Sequence, residues 1–261
     1  MNIKIIGTAH VSERSVEDVK NTIIEENPEV VAVELDYRRY MRLTRDENQN
    51  TSILDIIKNG LKTGSLSVII AGVILTYLQN KAGEDIGIKP GSDMIAAIKT
   101  AEEIGAKVVL IDRDIEITLS RAMNAMSLFE KLKLIFNIFL SSFKMKDIDI
   151  EDLKKKDVLK KIMKEFKRIA PNAYKVIVDE RDAYMAYRLL NIDSEKIVAV
   201  VGAGHKKGIE DYLKNPEKIP PIYKLLNTKI KDRNPINKIF LLSLLFITFL
   251  LLKILVVKGC I

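Results

Sequence analysis

The chain is poor in the residues that most often build metal and redox centres: one cysteine, Cys260, and two histidines, His10 and His205, among 261 residues. A single cysteine excludes a disulfide framework and a cysteine-ligated zinc site. No internal repeat is visible. No signal peptide is expected either, because Met1 leads straight into Ile3–Ile6, too short for an apolar leader core. With 48% hydrophobic and 30% charged residues, the chain is neither a disordered polypeptide nor a polytopic membrane protein. Its length suits one domain with a sizeable core, or one domain plus an appendage.

Acidic charge is in deficit, with 42 Lys and Arg against 35 Asp and Glu and a net charge of +7. A pI near 9.2 ordinarily points to nucleic acid or an anionic membrane. Position decides between them. Residues 1–205 hold 31 basic and 31 acidic side chains, whereas residues 206–238 hold nine basic and four acidic. The surplus stands beside the apolar run Ile239–Val257, nineteen residues interrupted only by Lys253. At about 1.5 Å per residue a helix of that length reaches roughly 28 Å, close to the hydrocarbon thickness of a bilayer. The expectation is a C-terminal transmembrane helix over 239–257, a basic juxtamembrane linker over 223–238, and a folded domain over 1–222 with a helical insertion at about 120–175. Basic flanks stay on the cytoplasmic side. The protein is therefore expected in the cell membrane as a single-pass, tail-anchored chain with its N-terminal domain cytoplasmic, its linker against anionic lipid, and no nucleic-acid partner.

Two shorter apolar runs are less specific. Leu66–Leu78 is short for a span and reads as a buried helix or a membrane-dipping segment. Leu128–Phe143 becomes apolar on every side beyond residue 134, which suits core packing first, or burial against the first run, in a homodimer contact or in the bilayer surface.

The body of the chain has the rhythm of an α/β fold, a mainly parallel sheet flanked by helices. Ile3–Ile6 is a short β-branched run closed by Gly7. Val16, Val19, Ile23 and Ile24 then fall at helical spacing before Pro28. Val30–Leu35 is a continuous apolar strand of the kind covered on both faces. Asp93–Ile104 reads as a helix stopped by Gly105, Lys107–Ile111 as a strand, Glu180–Leu190 as a helix and Ile197–Val201 as a strand. Each strand-like run ends in polar residues: Thr8-Ala9-His10, Glu34-Leu35-Asp36, Asp112-Arg113-Asp114 and Gly204-His205. In open parallel sheets, ligand sites form outside the carboxyl ends of the strands. Four separate stretches thus aim His, Glu, Asp and Arg toward one place.

Both histidines occupy the same frame, Gly7-Thr8-Ala9-His10 and Gly202-Ala203-Gly204-His205, each directly after an apolar strand. Glycine permits a sharp turn that points the following imidazole into a crevice. The spacing Gly202-X-Gly204-X-X-X-Gly208 also suggests a phosphate loop of a dinucleotide fold. That fold needs a following βαβ unit, and the chain runs instead through Pro216, Pro220 and Pro221. Two imidazoles and a carboxylate suit a divalent metal (manganese, zinc or cobalt), with His10, His205 and Glu34 as ligands, or with Glu34 as the base that activates a bound water. Structural readings stand beside these. Glu34 and Asp36 can pair with Arg38 or Arg39. Asp112 and Asp114 can flank Arg113 as a solvated charge cluster. The acids of Glu180-Arg181-Asp182 favour the positive end of a helix whatever the function.

The set GTAHVS, VELD followed by Arg38, Lys89-Pro90-Gly91, LIDRDI-x-ITLSRA, DERDAYMA and VVGAGHKKGI resembles the TraB family of pheromone-shutdown proteins over roughly residues 3–210. That family is grouped with Tiki metalloproteases, ChaN-like haem-binding proteins and erythromycin esterases. The resemblance implies an α/β domain whose crevice holds two Gly-X-X-His elements and a strand-end acid. It also implies a functional set of His10, Glu34, Asp112, Arg113, Arg121, Glu180, Arg181 and His205. Tiki relatives are divalent-metal peptidases, and esterase relatives use the corresponding His and Glu in acid/base roles. Asp93 stands where many relatives have Glu, and Met123 where relatives often have Trp.

The expected function is a membrane-anchored, divalent-metal-dependent hydrolase of peptide or amide bonds acting on a peptide-like substrate. Here Arg113 and Arg181 would stabilise developing negative charge and Glu180 would orient one of them. The alternatives are a tethered protein that binds or sequesters a peptide, haem or metal without turnover, and a membrane-contact scaffold working through the apolar middle helices.

Overall fold

A computed structural model describes residues 1–8, 13–44, 91–134 and 163–228. Met1–Asn227 forms one compact unit, and Thr228–Ile261 forms a second. The expected span 239–257, the run Leu66–Leu78, residues 135–143 and His10 lie outside the described residues. Among the described residues, no helix is long and apolar enough to cross a membrane.

Among the described residues, four strands, β1 (Asn2–Thr8), β2 (Val30–Val33), β3 (Lys107–Leu110) and β4 (Lys196–Gly202), form one sheet in the order β1-β4-β2-β3. Every pairing is parallel. All four carboxyl ends therefore open on the same edge.

Helices cover both faces of the central strands, so β2 and the body of β4 are apolar without alternation, whereas the edge strand β1 keeps Lys4 exposed. Val31 and Val33 of β2 and Val198 and Val200 of β4 pack with Val19 and Ile23 of α1 (Glu13–Glu26) and with Met94, Ala97 and Ile98 of α3 (Ser92–Glu103). Val30, Ala32, Ile197, Ala199 and Val201 point the opposite way. They meet Met185, Ala186 and Leu189 of α6 (Glu180–Leu190) and Ile209 of α7 (Ala203–Lys214). Burying one such aliphatic side chain is worth about 1.5–3 kcal/mol, which is why these short runs persist as strands. Gly105 follows α3 at φ 75, a left-handed turn that ends the helix without steric cost and lets Lys107 start β3.

Between α2 (Tyr37–Thr44) and β4 the chain also carries α4 (Ile115–Ala125) and α5 (Pro171–Tyr174), the latter running through a π-type turn (Lys175–Asp179) into α6. Ala122, Met123 and Met126 at the end of α4 pack with Ile169, Ala170, Ala173 and Val176 in a separate apolar cluster, the described part of the helical insertion. A short α8 (Ile222–Leu226) closes the unit, with Leu225 buried against Ala183 and Tyr184 of α6.

Candidate functional site

The strand order explains why distant residues meet. β4, β2 and β3 are neighbours, so the residues just past their carboxyl ends lie side by side along one edge of the sheet: His205 after β4, Glu34 after β2 and Asp112 after β3. The ladder continues past the strands themselves, with Glu34 donating its amide to Val200 at 3.0 Å and Asp112 donating to Leu35 at 3.3 Å. The side chains are thus carried on rigid backbone.

Arg181, in the first turn of α6, reaches across all three. Its Nε and one terminal nitrogen donate to the two oxygens of Asp112 at 3.0 and 2.7 Å, a two-point contact. The same terminal nitrogen donates to Glu34 Oε1 at 2.5 Å, and the other lies 3.0 Å from His205 Nε2. Glu34 Oε2 accepts the amide of Gly202 at 2.6 Å, which ties the β2 acid to the turn that launches α7. Burial alone would lower the Arg181 pKa, but Asp112 and Glu34 outweigh it and hold the guanidinium firmly protonated. Its side chain and that of His205 keep 13% exposure, so the cluster touches solvent at those two groups.

A second residue of the same helix, Asp182, meets the other ring nitrogen: His205 Nδ1 and Asp182 Oδ1 are 2.5 Å apart. Burial pushes the Asp182 carboxyl up, partly opposed by the His205 hydrogen bond.

Behind this cluster lies its counterpart. Asp112-Arg113 and Glu180-Arg181 are adjacent pairs, and they pair crosswise, Asp112 with Arg181 and Arg113 with Glu180. The second pairing faces inward. Arg113 is fully buried and donates to Thr118 Oγ1 at 2.9 Å, Glu180 Oε2 at 2.9 Å, and the carbonyls of Leu225 at 2.9 Å and Val176 at 3.0 Å. Arg121 grips both oxygens of Glu180 at 2.7 and 2.8 Å and donates to the carbonyl of Asn227 at 2.5 Å. Burial raises the Glu180 pKa, but Arg121 and Arg113 outweigh it and hold the carboxyl below its ordinary value.

Of the residues singled out from the sequence, Glu34, Asp112, Arg181 and His205 converge at this sheet edge. Arg113, Arg121 and Glu180 form the layer beneath, and His10 lies outside the described residues. Its frame can still be followed to the strand end. Thr8 pairs with Gly202 in the parallel register, so the two Gly-X-X-His frames leave neighbouring strands one residue apart. Arg113 does not belong to a solvated cluster. Asp36 turns back to accept the amides of Arg38 and Arg39 at 2.9 and 3.0 Å, capping α2, while Arg39 lies 3.5 Å from Asp112. Asp93 accepts a buried hydrogen bond from Thr8. Asp182 and Arg39 are additions. An acid in a first helical turn is ordinary, so Asp182 carries no sequence signal of its own.

The described donors do not fit a divalent metal. Among the described residues, no group of three His, Cys, Asp or Glu side chains is placed to hold one. Two of the expected ligands, His205 and Glu34, both face the Arg181 guanidinium, which takes the place a second cation would need. Both nitrogens of the imidazole are engaged.

The TraB/PrgY/gumN family model matches residues 2–219. The chain is 42% identical over 237 residues to an uncharacterised protein of Methanocaldococcus jannaschii, covering 89% of this chain and 58% of that one. It is 34% identical over 233 residues to a TraB domain-containing protein of Homo sapiens, covering 80% of this chain and 61% of that one. A TraB domain-containing protein of Bos taurus is 33% identical over 232 residues, with the same 80% and 61% coverage. The chain thus spans about three fifths of the length of these relatives.

Proposed function

The chain belongs to the TraB/PrgY/gumN family, and from that premise we propose that it is a membrane-anchored hydrolase of peptide or amide bonds. One observation carries this reading: Arg181 joins the acids of two strand ends and the histidine of a third at the solvent-touched carboxyl edge of the sheet. Such a group of one fixed cation, one imidazole and flanking carboxylates suits attack of water on a polarised carbonyl.

A substrate carbonyl takes up the Arg181 nitrogen that faces His205 and thereby releases the Nε2 lone pair. His205 then removes a proton from water as its oxygen bonds to the carbonyl carbon. Arg181 meets the negative charge that develops on the carbonyl oxygen, with Asp112 fixing its angle. As the C–N bond breaks, His205 returns the proton to the departing amine, leaving a carboxylic acid and an amine, which then exchange a proton to become carboxylate and ammonium. Glu34 holds Arg181 on the Gly202 turn. Arg113, Arg121 and Glu180 keep the helix bearing Arg181 in place from below. Manganese, zinc or cobalt has no step in this sequence, because the two described residues that would ligate it already hold Arg181. The anchor is assigned to Ile239–Val257 on its composition, with the basic residues before it against anionic lipid.

The test is cleavage of a defined peptide mixture by the full chain, read by mass spectrometry, with metal content measured on the same sample. His205→Ala and Arg181→Ala are expected to lose about 10²-fold or more in rate while keeping the wild-type circular dichroism spectrum. Cleavage unchanged in both variants, or intact peptide retained stoichiometrically without products, would overturn the hydrolase. Activity that vanishes on chelation and returns with one equivalent of metal would reassign His205 and Glu34 as ligands.

A further inference from the structure

We infer that Asp182 is the positioning residue that holds His205 in its Nδ1–H tautomer, and that Gly208 is glycine so that the Asp182 carboxylate can reach the ring. The inference deepens the acid–base reading above and rests on it for its functional meaning.

The tautomer follows from the partners. A guanidinium has donors and no acceptor, so the 3.0 Å contact between Arg181 and His205 Nε2 requires a lone pair on Nε2. The ring proton is then on Nδ1, and it is donated to Asp182 Oδ1 at 2.5 Å. Two contacts on opposite sides of the ring thus demand the same proton position. It is the position that a general base at Nε2 needs, because the reactive nitrogen must be bare. Asp182 and His205 belong to different helices, so their meeting depends on how closely α6 approaches α7.

Gly208 sets that approach. It lies three residues beyond His205, one turn along α7 and on the same face. A Cβ built at position 208 would overlap the Asp182 carboxylate, meeting its Oδ2 and Cγ inside any allowed contact and its Cβ at 3.2 Å. Glycine is a poor residue for a helix interior. Here it has a steric reason: any side chain at 208 pushes the acid off the ring. The run Gly202-Ala203-Gly204-His205-Lys206-Lys207-Gly208 is therefore not a phosphate loop. Its last glycine is the seat of a carboxylate from another helix.

The readout is the ring of His205 in the full chain, by long-range proton–nitrogen correlation. With two histidines in the protein, its signals are identified by their loss in His205→Gln. Wild type is expected to show a protonated Nδ1 and a bare Nε2. Asp182→Asn and Gly208→Ala are each expected to shift the ring toward the Nε2–H form and to lower kcat by about 10²-fold with KM little changed. Gly208→Ala in the Asp182→Ala background removes the overlap together with the carboxylate. It is expected to melt no lower than Asp182→Ala alone, which keeps the steric claim testable if the single variant folds poorly. A wild-type Nε2–H ring, an unchanged ring in Asp182→Asn, or an equal penalty for Gly208→Ala in both backgrounds would overturn the inference. The ring spectrum needs no substrate. A bare Nε2 that responds to Asp182 with no peptide cleaved removes the hydrolase reading and leaves this one, and cleavage with an indifferent ring does the reverse.

Discussion

Arg113 and Arg181 each stand next to an acid that pairs with the other arginine, yet they do different work. Arg181 keeps 13% side-chain exposure and faces a histidine, whereas Arg113 has 0% and spends its donors on Glu180, Thr118 and two carbonyls. Arg181→Lys is expected to keep the fold and lose about 10²-fold or more in turnover, since an ammonium cannot make the two-point contact with Asp112 and still reach His205. Arg113→Leu is expected to cost about 3–5 kcal/mol in denaturant unfolding, because it leaves the Val176 and Leu225 carbonyls without their donor and Glu180 with Arg121 alone. An Arg113→Leu protein of wild-type stability would show that the inner pair is dispensable. The sequence displays both dipeptides, Asp112-Arg113 and Glu180-Arg181, and places both near the site. It cannot say which arginine faces the crevice, because 68 positions separate Arg113 from Arg181 and only the packing of α6 on the sheet orients them. Asp182 is hidden for the same reason: its partner and its steric seat both lie on another helix.

At the scale of elements, legibility follows burial. Val30–Val33 and Ile197–Val201 are continuous apolar runs because both faces are covered, and such runs are visible in one dimension. The π-type turn Lys175–Asp179 is not visible, since Val176, Ile177 and Val178 would suit a strand equally well. Within that turn the Val176 carbonyl accepts Arg113, and the helix then enters at Glu180, so the irregular turn and the inner ion cluster form one device. Its pH response can be signed. Burial raises the Glu180 pKa but Arg121 and Arg113 outweigh it, so the folded value lies below the ordinary 4.5. The stabilisation is complete above that ordinary value and is lost as pH falls through the lowered one. Glu180→Gln is expected to melt lower than wild type at pH 7 and to converge with it in thermal melts as the pH falls below the ordinary carboxylate range. A gap that is constant with pH would show that charge at Glu180 contributes nothing.

For the whole molecule, the two compact units divide the charge unequally: Met1–Asn227 carries a net +2, and Thr228–Ile261 carries +5. A nearly neutral α/β unit has little electrostatic reason to approach a bilayer. The second unit has two, its cations and its apolar run, and they respond to different treatments. Lipid attraction through exposed lysines is screened within about 10 Å at 0.1 M salt, whereas an inserted helix is indifferent to salt. An arginine near the middle of a span costs about 2.5–3.5 kcal/mol, so the pair Phe246→Arg and Phe249→Arg removes most of the insertion energy without altering the flanking lysines. The wild-type chain is expected to remain with membranes through high salt and alkaline carbonate. The double variant is expected to be released by carbonate while still binding anionic vesicles at low salt, and to keep the thermal transition of the α/β unit, whose core clusters all fall before Asn227. Release of the wild type by salt alone would reduce the second unit to a surface contact held by charge rather than an anchor.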